Sequence, residues 1–105
     1  MKEIVYSPAY REKIRDLRIY LDFQFGEEIR KKIFTHIDKK IDSLQTFENI
    51  GASVRDMFGI DVDYRVLHVD KNYVFYNTDD EKIYILNIYD EREDYMRKMF
   101  GFSPK

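Results

Sequence analysis

The stretch best equipped for chemistry lies near the carboxyl end of the chain, where the apolar run "LNIY" is followed by "DEREDYMRK". Arginine side chains such as Arg92 and Arg97 can hold an anion, and a tyrosine such as Tyr95 can donate a proton. These basic groups are crowded by carboxylates that would oppose an approaching phosphate, at Asp90, Glu91, Glu93 and Asp94. The cluster is therefore either the edge of a site or the solvated start of a helix.

No metal or cofactor site is expected. His36 and His68 each lack a second histidine or a carboxylate at ligand spacing, which favours ordinary surface or packing roles. The chain contains no cysteine, so it forms neither a disulfide nor a thiolate zinc site.

Length and charge limit the possible classes of protein. A chain of 105 residues with 44% hydrophobic content predicts one compact domain over residues 1–105. Its net charge of -2 gives no global attraction to nucleic acid, so any such contact must be local. There is no apolar run near the roughly 20 residues that cross a bilayer and no signal segment, so we expect a soluble, cytoplasmic protein without membrane contact.

The first half of the sequence predicts a strand and two helices. The strand "KEIVYS" ends at Ser7, which suits a helix cap, and Pro8 suits a first helical position. A helix from Pro8 to about Phe23 follows, and after Gly26 a second one runs to about Leu44, so the two form an antiparallel hairpin. Their predicted core faces hold Tyr10, Ile14, Leu17 and Leu21, and then Ile29, Ile33, Phe34, Ile37, Ile41 and Leu44.

The second half predicts a three-stranded antiparallel meander, from "VDYRVLHV", "NYVFYN" and "KIYILNIY". Residues 45–61 show no sustained period and are read as a loop that holds at most a short strand or turn. In the last strand, alternation places Tyr84, Leu86 and Ile88 on one face and Ile83, Ile85 and Tyr89 on the other. Both faces are apolar, so two layers must cover the sheet. The hairpin is expected on one face, and on part of the other a short final helix contributing Tyr95, Met96, Met99 and Phe100.

This order, β-α-α-β-β-β with a short final helix, predicts an α+β fold, and its motifs resemble the RelE/ParE family of bacterial toxins from type II toxin-antitoxin modules. The first meander strand carries Arg65 two residues before Leu67. The second strand is rich in aromatic residues, with Tyr73, Phe75 and Tyr76. After the last strand come an arginine and an aspartate, Arg92 and Asp94, followed by Tyr95. These three motifs stand in the same order as in the family.

The resemblance implies a growth-inhibiting toxin that a cognate antitoxin, usually encoded beside it, keeps silent in a hetero-oligomer. ParE-like members poison DNA gyrase and cut nothing, whereas RelE-like members cut mRNA on the ribosome. A third possibility is a degenerate member that binds an antitoxin without being toxic. For a ribonuclease the candidate catalytic residues are Arg65, Arg92 and Tyr95, and for either activity the candidate target-binding residues are Arg65, Arg92, Asp94 and Arg97.

Comparison with what RNA cleavage needs favours the ParE-like activity. Cleavage requires several cations around the phosphate and a general acid. The first meander strand keeps Arg65, but Leu67 and Val69 follow on the same face, and Tyr73 stands where a ribonuclease member would carry arginine. Arg65 has a plainer alternative, which is to pair with a carboxylate such as Asp94 and support the fold.

An apolar stripe on the first helix predicts an antitoxin-binding surface. Ile19 and Phe23 lie four residues apart, away from the core face, and have no obvious cover. The antitoxin is expected to lie against this helix and across the open sheet face at Tyr73 and Phe75, as a helix in a groove or an added strand. The alternative is that residues 45–61 fold over the stripe.

Overall fold

The computed structural model describes residues 1–101, apart from the side chain of Met96. A 3-10 turn at Ser43–Gln45 extends the second helix, and the predicted loop contains one short strand and one short helix. No helix in the described part of the chain is long and apolar enough to cross a membrane. The elements are β1 (Glu3–Tyr6), α1 (Pro8–Phe25), α2 (Glu27–Asp42), β2 (Ala52–Ser53), α3 (Val54–Phe58), β3 (Arg65–Val69), β4 (Asn72–Thr78), β5 (Lys82–Asp90) and α4 (Tyr95–Phe100).

The α+β architecture agrees with the prediction, but the sheet is mixed rather than purely antiparallel. Its strand order is β1-β5-β4-β3-β2, and β1 runs parallel to β5 while the other neighbours are antiparallel. Parallel neighbours need a long crossover, and here all the intervening chain supplies it. Local strand patterns do not contain this information, since they give the direction of a strand only relative to its hairpin partner.

Ser7 starts α1 and also joins it to the sheet. Its Oγ accepts a hydrogen bond from the backbone N–H of Tyr10 at 3.0 Å, which confirms the predicted helix cap. The same hydroxyl donates to the carbonyl oxygen of Leu86 at 2.6 Å. One side chain thus satisfies a free amide at the helix start and a carbonyl on β5.

Leu86 is the extra residue of a β-bulge. Phe75 pairs with Asn87 and Tyr76 pairs with Ile85, which leaves Leu86 without a partner on β4. Beyond the bulge the alternation is reversed, so Ile88 packs in the core beneath the helices and Tyr89 packs on the opposite face. The predicted faces of Ile88 and Tyr89 were therefore wrong, because simple alternation assumes an unbroken period of two.

Both faces of the sheet are covered, although the sequence predicted that one face would stay partly open. The hairpin face, under α1 and α2, buries Tyr10, Ile37, Ile41, Leu44, Leu67, Val69, Val74, Tyr76, Ile83, Ile85 and Ile88. The outer face buries Val54, Val66, Phe75 and Tyr89 beneath partly buried groups that include Phe58, Tyr95, Met99 and Phe100. Met96, the remaining residue predicted for this layer, has a side chain outside the described part of the structure.

Two hydrogen bonds made by Tyr76 on β4 hold the loop after α2 against the sheet. The hydroxyl of this fully buried tyrosine accepts a hydrogen bond from the N–H of Gly51 at 3.0 Å and donates to the carbonyl of Glu48 at 2.7 Å. Only glycine fits at position 51, because a Cβ there would lie 2.7 Å from Tyr76 Cε1. The loop backbone therefore rests directly on the aromatic ring.

We predict that Tyr76→Phe lowers the free energy of unfolding by about 1–3 kcal/mol, because it leaves a buried amide and a carbonyl without a partner. Tyr84→Phe is the matched control, since the Tyr84 hydroxyl donates to Asp79 in an exposed contact. Urea unfolding of both variants measures the difference. Equal losses in the two variants would contradict a structural role for the Tyr76 hydroxyl.

Candidate functional site

Arg92 begins the charged segment that follows β5 and lies against Asp90. Its Nε donates to Asp90 Oδ1 at 2.9 Å and its backbone N–H donates to the same oxygen at 2.8 Å. Burial alone would raise the pKa of Asp90, but these hydrogen bonds and the arginine charge outweigh it and lower that pKa. The hydrogen bond to Asp90, with a further contribution from Tyr20, raises the pKa of Arg92. Arg92 is therefore a permanent cation, and its side chain is 73% exposed.

Glu93 joins the same segment to α1. Its carboxylate accepts two hydrogen bonds from Lys13 Nζ, at 2.8 and 3.0 Å, and one from the backbone N–H of Asp90 at 3.2 Å. The Lys13 ammonium also lies 5.0 Å from the centre of the Tyr89 ring, within cation-π range. These contacts hold the segment that carries Arg92 against the first helix.

Between α1 and the end of β5 lies a cleft of about 620 Å³. Leu17 and Ile88 give it apolar walls, and charged or polar groups supply the rest. The charged segment thus forms one edge of the cleft and also leads into α4. Asp94, the residue before that helix, accepts a hydrogen bond from the backbone N–H of Arg97 in its first turn. The cleft is lined by Lys13, Asp16, Leu17, Tyr20, Asn72, Ile88, Asp90, Arg92 and Glu93.

The apolar stripe, formed by Ile19 and Phe23, is uncovered. These side chains are 64% and 85% exposed, so the alternative in which residues 45–61 fold over them is wrong. That segment instead packs Val54 and Phe58 against the outer face of the sheet. Tyr20, which follows Ile19 in sequence, lines the cleft, so the stripe and the cleft meet on one helix.

The sheet face that was predicted to be open is covered. Phe75 is fully buried, with its ring centre 6.1 Å from that of Tyr95 and 5.7 Å from that of Phe100. Tyr73 is half-buried between His68 and Tyr95, at ring-centre distances of 4.8 and 5.0 Å. In this conformation Phe75 offers no contact surface to a partner, and neither residue lies on the helical side that presents the stripe.

Arg65 supports the loop after α2. Its guanidinium donates to the carbonyl of Gly51 at 2.7 Å and to that of Asn49 at 3.3 Å. It does not pair with Asp94, the alternative raised by the sequence, because Asp94 contacts Arg97 at 3.5 Å. Arg65 thus contributes to the fold through backbone carbonyls, which no charge pattern in the sequence indicates.

The three candidate catalytic residues are not brought together. Arg65 pairs with Tyr76 across the sheet, whereas Asp90, beside Arg92, pairs with Asn72. Four residues along β4 separate these positions, or about 13 Å. Tyr95 packs on the outer face, where burial and then the nearby Tyr73 raise its pKa.

Sequence reasoning missed the ion pair between Lys13 and Glu93 and the buried Asn72, which help to build the cleft. The Lys13 and Glu93 pair joins positions 80 residues apart, and no local pattern links them. Asn72 is a buried polar residue at the start of β4, and the predicted strand "NYVFYN" gave no sign that this residue would line a cleft.

The histidines each contact one carboxylate. His36 Nδ1 lies 3.1 Å from Asp70 Oδ2 and His68 Nε2 lies 3.3 Å from Glu91 Oε2. Within residues 1–101, no three side chains of histidine, cysteine, aspartate or glutamate cluster as a metal site would require.

Comparison with known proteins identifies the family. A family model described as the ParE toxin of the type II toxin-antitoxin system, parDE, matches residues 4–95. This chain belongs to the ParE toxin family. A solved structure described as the chromosomal ParDE toxin-antitoxin system from P. aeruginosa is similar, with a TM-score of 0.70 and 18% identity over 86% of this chain and 96% of that chain. That likeness shows a shared fold. No curated protein is matched by this ParE-family sequence.

The lowered pKa of Asp90 predicts a pH dependence of stability. A carboxyl whose pKa is lower in the folded state stabilises the protein above its unfolded pKa of about 4, and this contribution is lost as pH falls through the folded pKa. We expect Asp90→Asn to lower the melting temperature most near pH 7 and least near pH 2, by circular dichroism. Asp80→Asn, at an exposed position, is the control. A difference for Asp90→Asn that is constant with pH would contradict this assignment.

Proposed function

We propose that this ParE-family toxin inhibits growth by binding DNA gyrase and cleaves no RNA itself. The observation that carries the proposal is the separation of Arg65, Arg92 and Tyr95. A ribonuclease must place its cations and its general acid around one phosphate. Here one arginine contacts loop carbonyls, one is paired with Asp90 at the far end of the sheet, and the tyrosine lies on the outer face.

Among the candidate target-binding residues, the exposed arginines are the best placed to contact gyrase. The side chains of Arg92 and Arg97 are 73% and 63% exposed and both follow β5. Asp94 helps to position Arg97, because its carboxylate accepts a hydrogen bond from the Arg97 backbone N–H. We assign Arg65 an indirect role in target binding, because its guanidinium is bound to backbone carbonyls of the loop after α2.

We predict that the purified toxin blocks gyrase supercoiling and that Arg92→Ala weakens inhibition at least tenfold, because a permanent cation at the edge of the cleft is lost. Arg55→Ala is the matched control, since Arg55 is also exposed and paired with one carboxylate, Asp61. Supercoiling of relaxed plasmid by gyrase, titrated with each toxin variant, measures the effect.

Mapping of mRNA 5' ends after induction without antitoxin distinguishes the other candidate functions. Codon-positioned cuts that disappear in Arg65→Ala or Arg92→Ala would contradict the proposal and identify a RelE-like ribonuclease. Intact mRNA together with uninhibited gyrase would indicate a degenerate family member that binds an antitoxin without toxicity.

We also propose that a cognate antitoxin binds the apolar stripe and keeps the toxin silent in a hetero-oligomer. Family membership supports a partner of this kind, and so does the shared fold with a protein of the P. aeruginosa ParDE toxin-antitoxin system. The exposure of Ile19 and Phe23 supports the location, since large apolar side chains at such positions are typical of interaction surfaces. The cytoplasmic location stays a prediction from the sequence.

We predict that Ile19→Lys weakens antitoxin binding at least tenfold, because a charge would replace an apolar contact in the interface. Ile50→Lys is the matched control, since Ile50 is 49% exposed in the loop after α2. Isothermal titration with the cognate antitoxin gives both affinities. Unchanged affinity in a folded Ile19→Lys variant would contradict this location.

A further inference from the structure

Three arginines form an exposed row on α1. Arg11, Arg15 and Arg18 follow one another at spacings of four and three residues, so they share one side of the helix. Within residues 1–101 none of the three has a carboxylate at salt-bridge distance, although nine other lysines and arginines do. Asp22, one turn beyond Arg18, already accepts a hydrogen bond from Arg30 at 2.8 Å.

In the described part of the chain, the arginine row forms no salt bridge with the helix that carries it. Like charges at these spacings repel one another. Arg11 also lies near the helix amino terminus, where the helix dipole disfavours a cation, and the first turn holds no acidic residue to compensate. These unfavourable local terms point to a benefit that arises outside the isolated chain.

The arginine row and the apolar stripe lie side by side. Ile19 is one turn beyond Arg15, and Phe23 is one turn beyond Ile19, so the two surfaces occupy neighbouring strips of α1. Each side chain of both strips is exposed. A helix or extended segment laid on the stripe would therefore have one flank against the arginines.

We propose that the arginine row is the charged half of the antitoxin surface, and that the segment bound there is acidic and amphipathic. This inference rests on the proposed antitoxin site. The segment places apolar side chains on Ile19 and Phe23 and carboxylates opposite Arg11, Arg15 and Arg18. Guanidinium groups favour this arrangement, because each can donate two parallel hydrogen bonds to a carboxylate.

A nucleic acid fits this surface less well than an acidic peptide. The row extends about 10 Å along the helix axis, which is the rise of about three phosphates on one strand. The chain as a whole has a net charge of -2, which gives no wider attraction to a polyanion. A phosphate backbone would also leave the apolar stripe uncovered, whereas an amphipathic segment covers both strips together.

The test is the salt dependence of antitoxin binding by the triple variant Arg11→Gln, Arg15→Gln and Arg18→Gln. At 50 mM salt we expect about tenfold weaker binding than wild type, and a smaller loss of affinity between 50 and 500 mM salt. The triple variant Lys32→Gln, Lys39→Gln and Lys40→Gln is the matched control, because it makes the same charge change on the exposed side of α2. We expect this control to bind as wild type does.

Two further measurements complete the test: antitoxin binding by the Ile19→Ala variant, and binding of a 20-base-pair DNA duplex by the wild-type toxin and the arginine variant. If Ile19→Ala weakens binding while the arginine variant binds normally at every salt concentration, the arginine inference alone is overturned. If the duplex binds the toxin and the arginine variant loses only that binding, the row is a nucleic-acid site and the inference is again overturned. If the wild-type toxin does not bind the antitoxin at all, the proposed antitoxin site fails and this inference fails with it.

Discussion

The bulge at Leu86 is the constraint on which the rest of the structure depends. Without this extra residue, Ile88 would point away from the helices and Tyr89 toward them. The bulge instead gives α1 an apolar residue to pack on, and it leaves Tyr89 to the outer core. The Leu86 carbonyl accepts a hydrogen bond from the Ser7 hydroxyl. This bond joins the bulge to the start of α1, the helix that packs on it.

Features that depend on neighbours in sequence could be predicted, and the bulge could not. Ser7, Pro8 and Gly26 mark helix ends through local backbone chemistry, and the structure places the helix ends at those positions. Amphipathic spacing is also local, so the core faces of both helices followed from the pattern, except that Ile29, predicted to face the core, is 47% exposed in the first turn of α2. The bulge carries no glycine or proline at residues 83–89 to mark it, and its Leu86 is as apolar as the residues around it.

The candidate site was predictable to the extent that exposure follows from helical spacing. Ile19 and Phe23 were found because an apolar residue off the core face is visible from sequence alone. Arg65 was recognised as important, but its partners are backbone carbonyls of a loop whose path depends on the buried Tyr76. Phe75 was assigned to an open face because the strand pattern does not show how closely α4 covers it.

The position of α1 suggests how silencing could work without a change of shape. One side of this helix packs on the sheet, one lines the cleft that holds Arg92, and one presents the apolar stripe. Tyr20 lines the cleft and follows directly after Ile19. If an antitoxin lies on the stripe, it occupies the helix that also lines the cleft, so a bound segment that extends round α1 to Tyr20 would cover the cleft edge together with the stripe. Neutralisation would then require occupancy of α1 and no rearrangement of the fold.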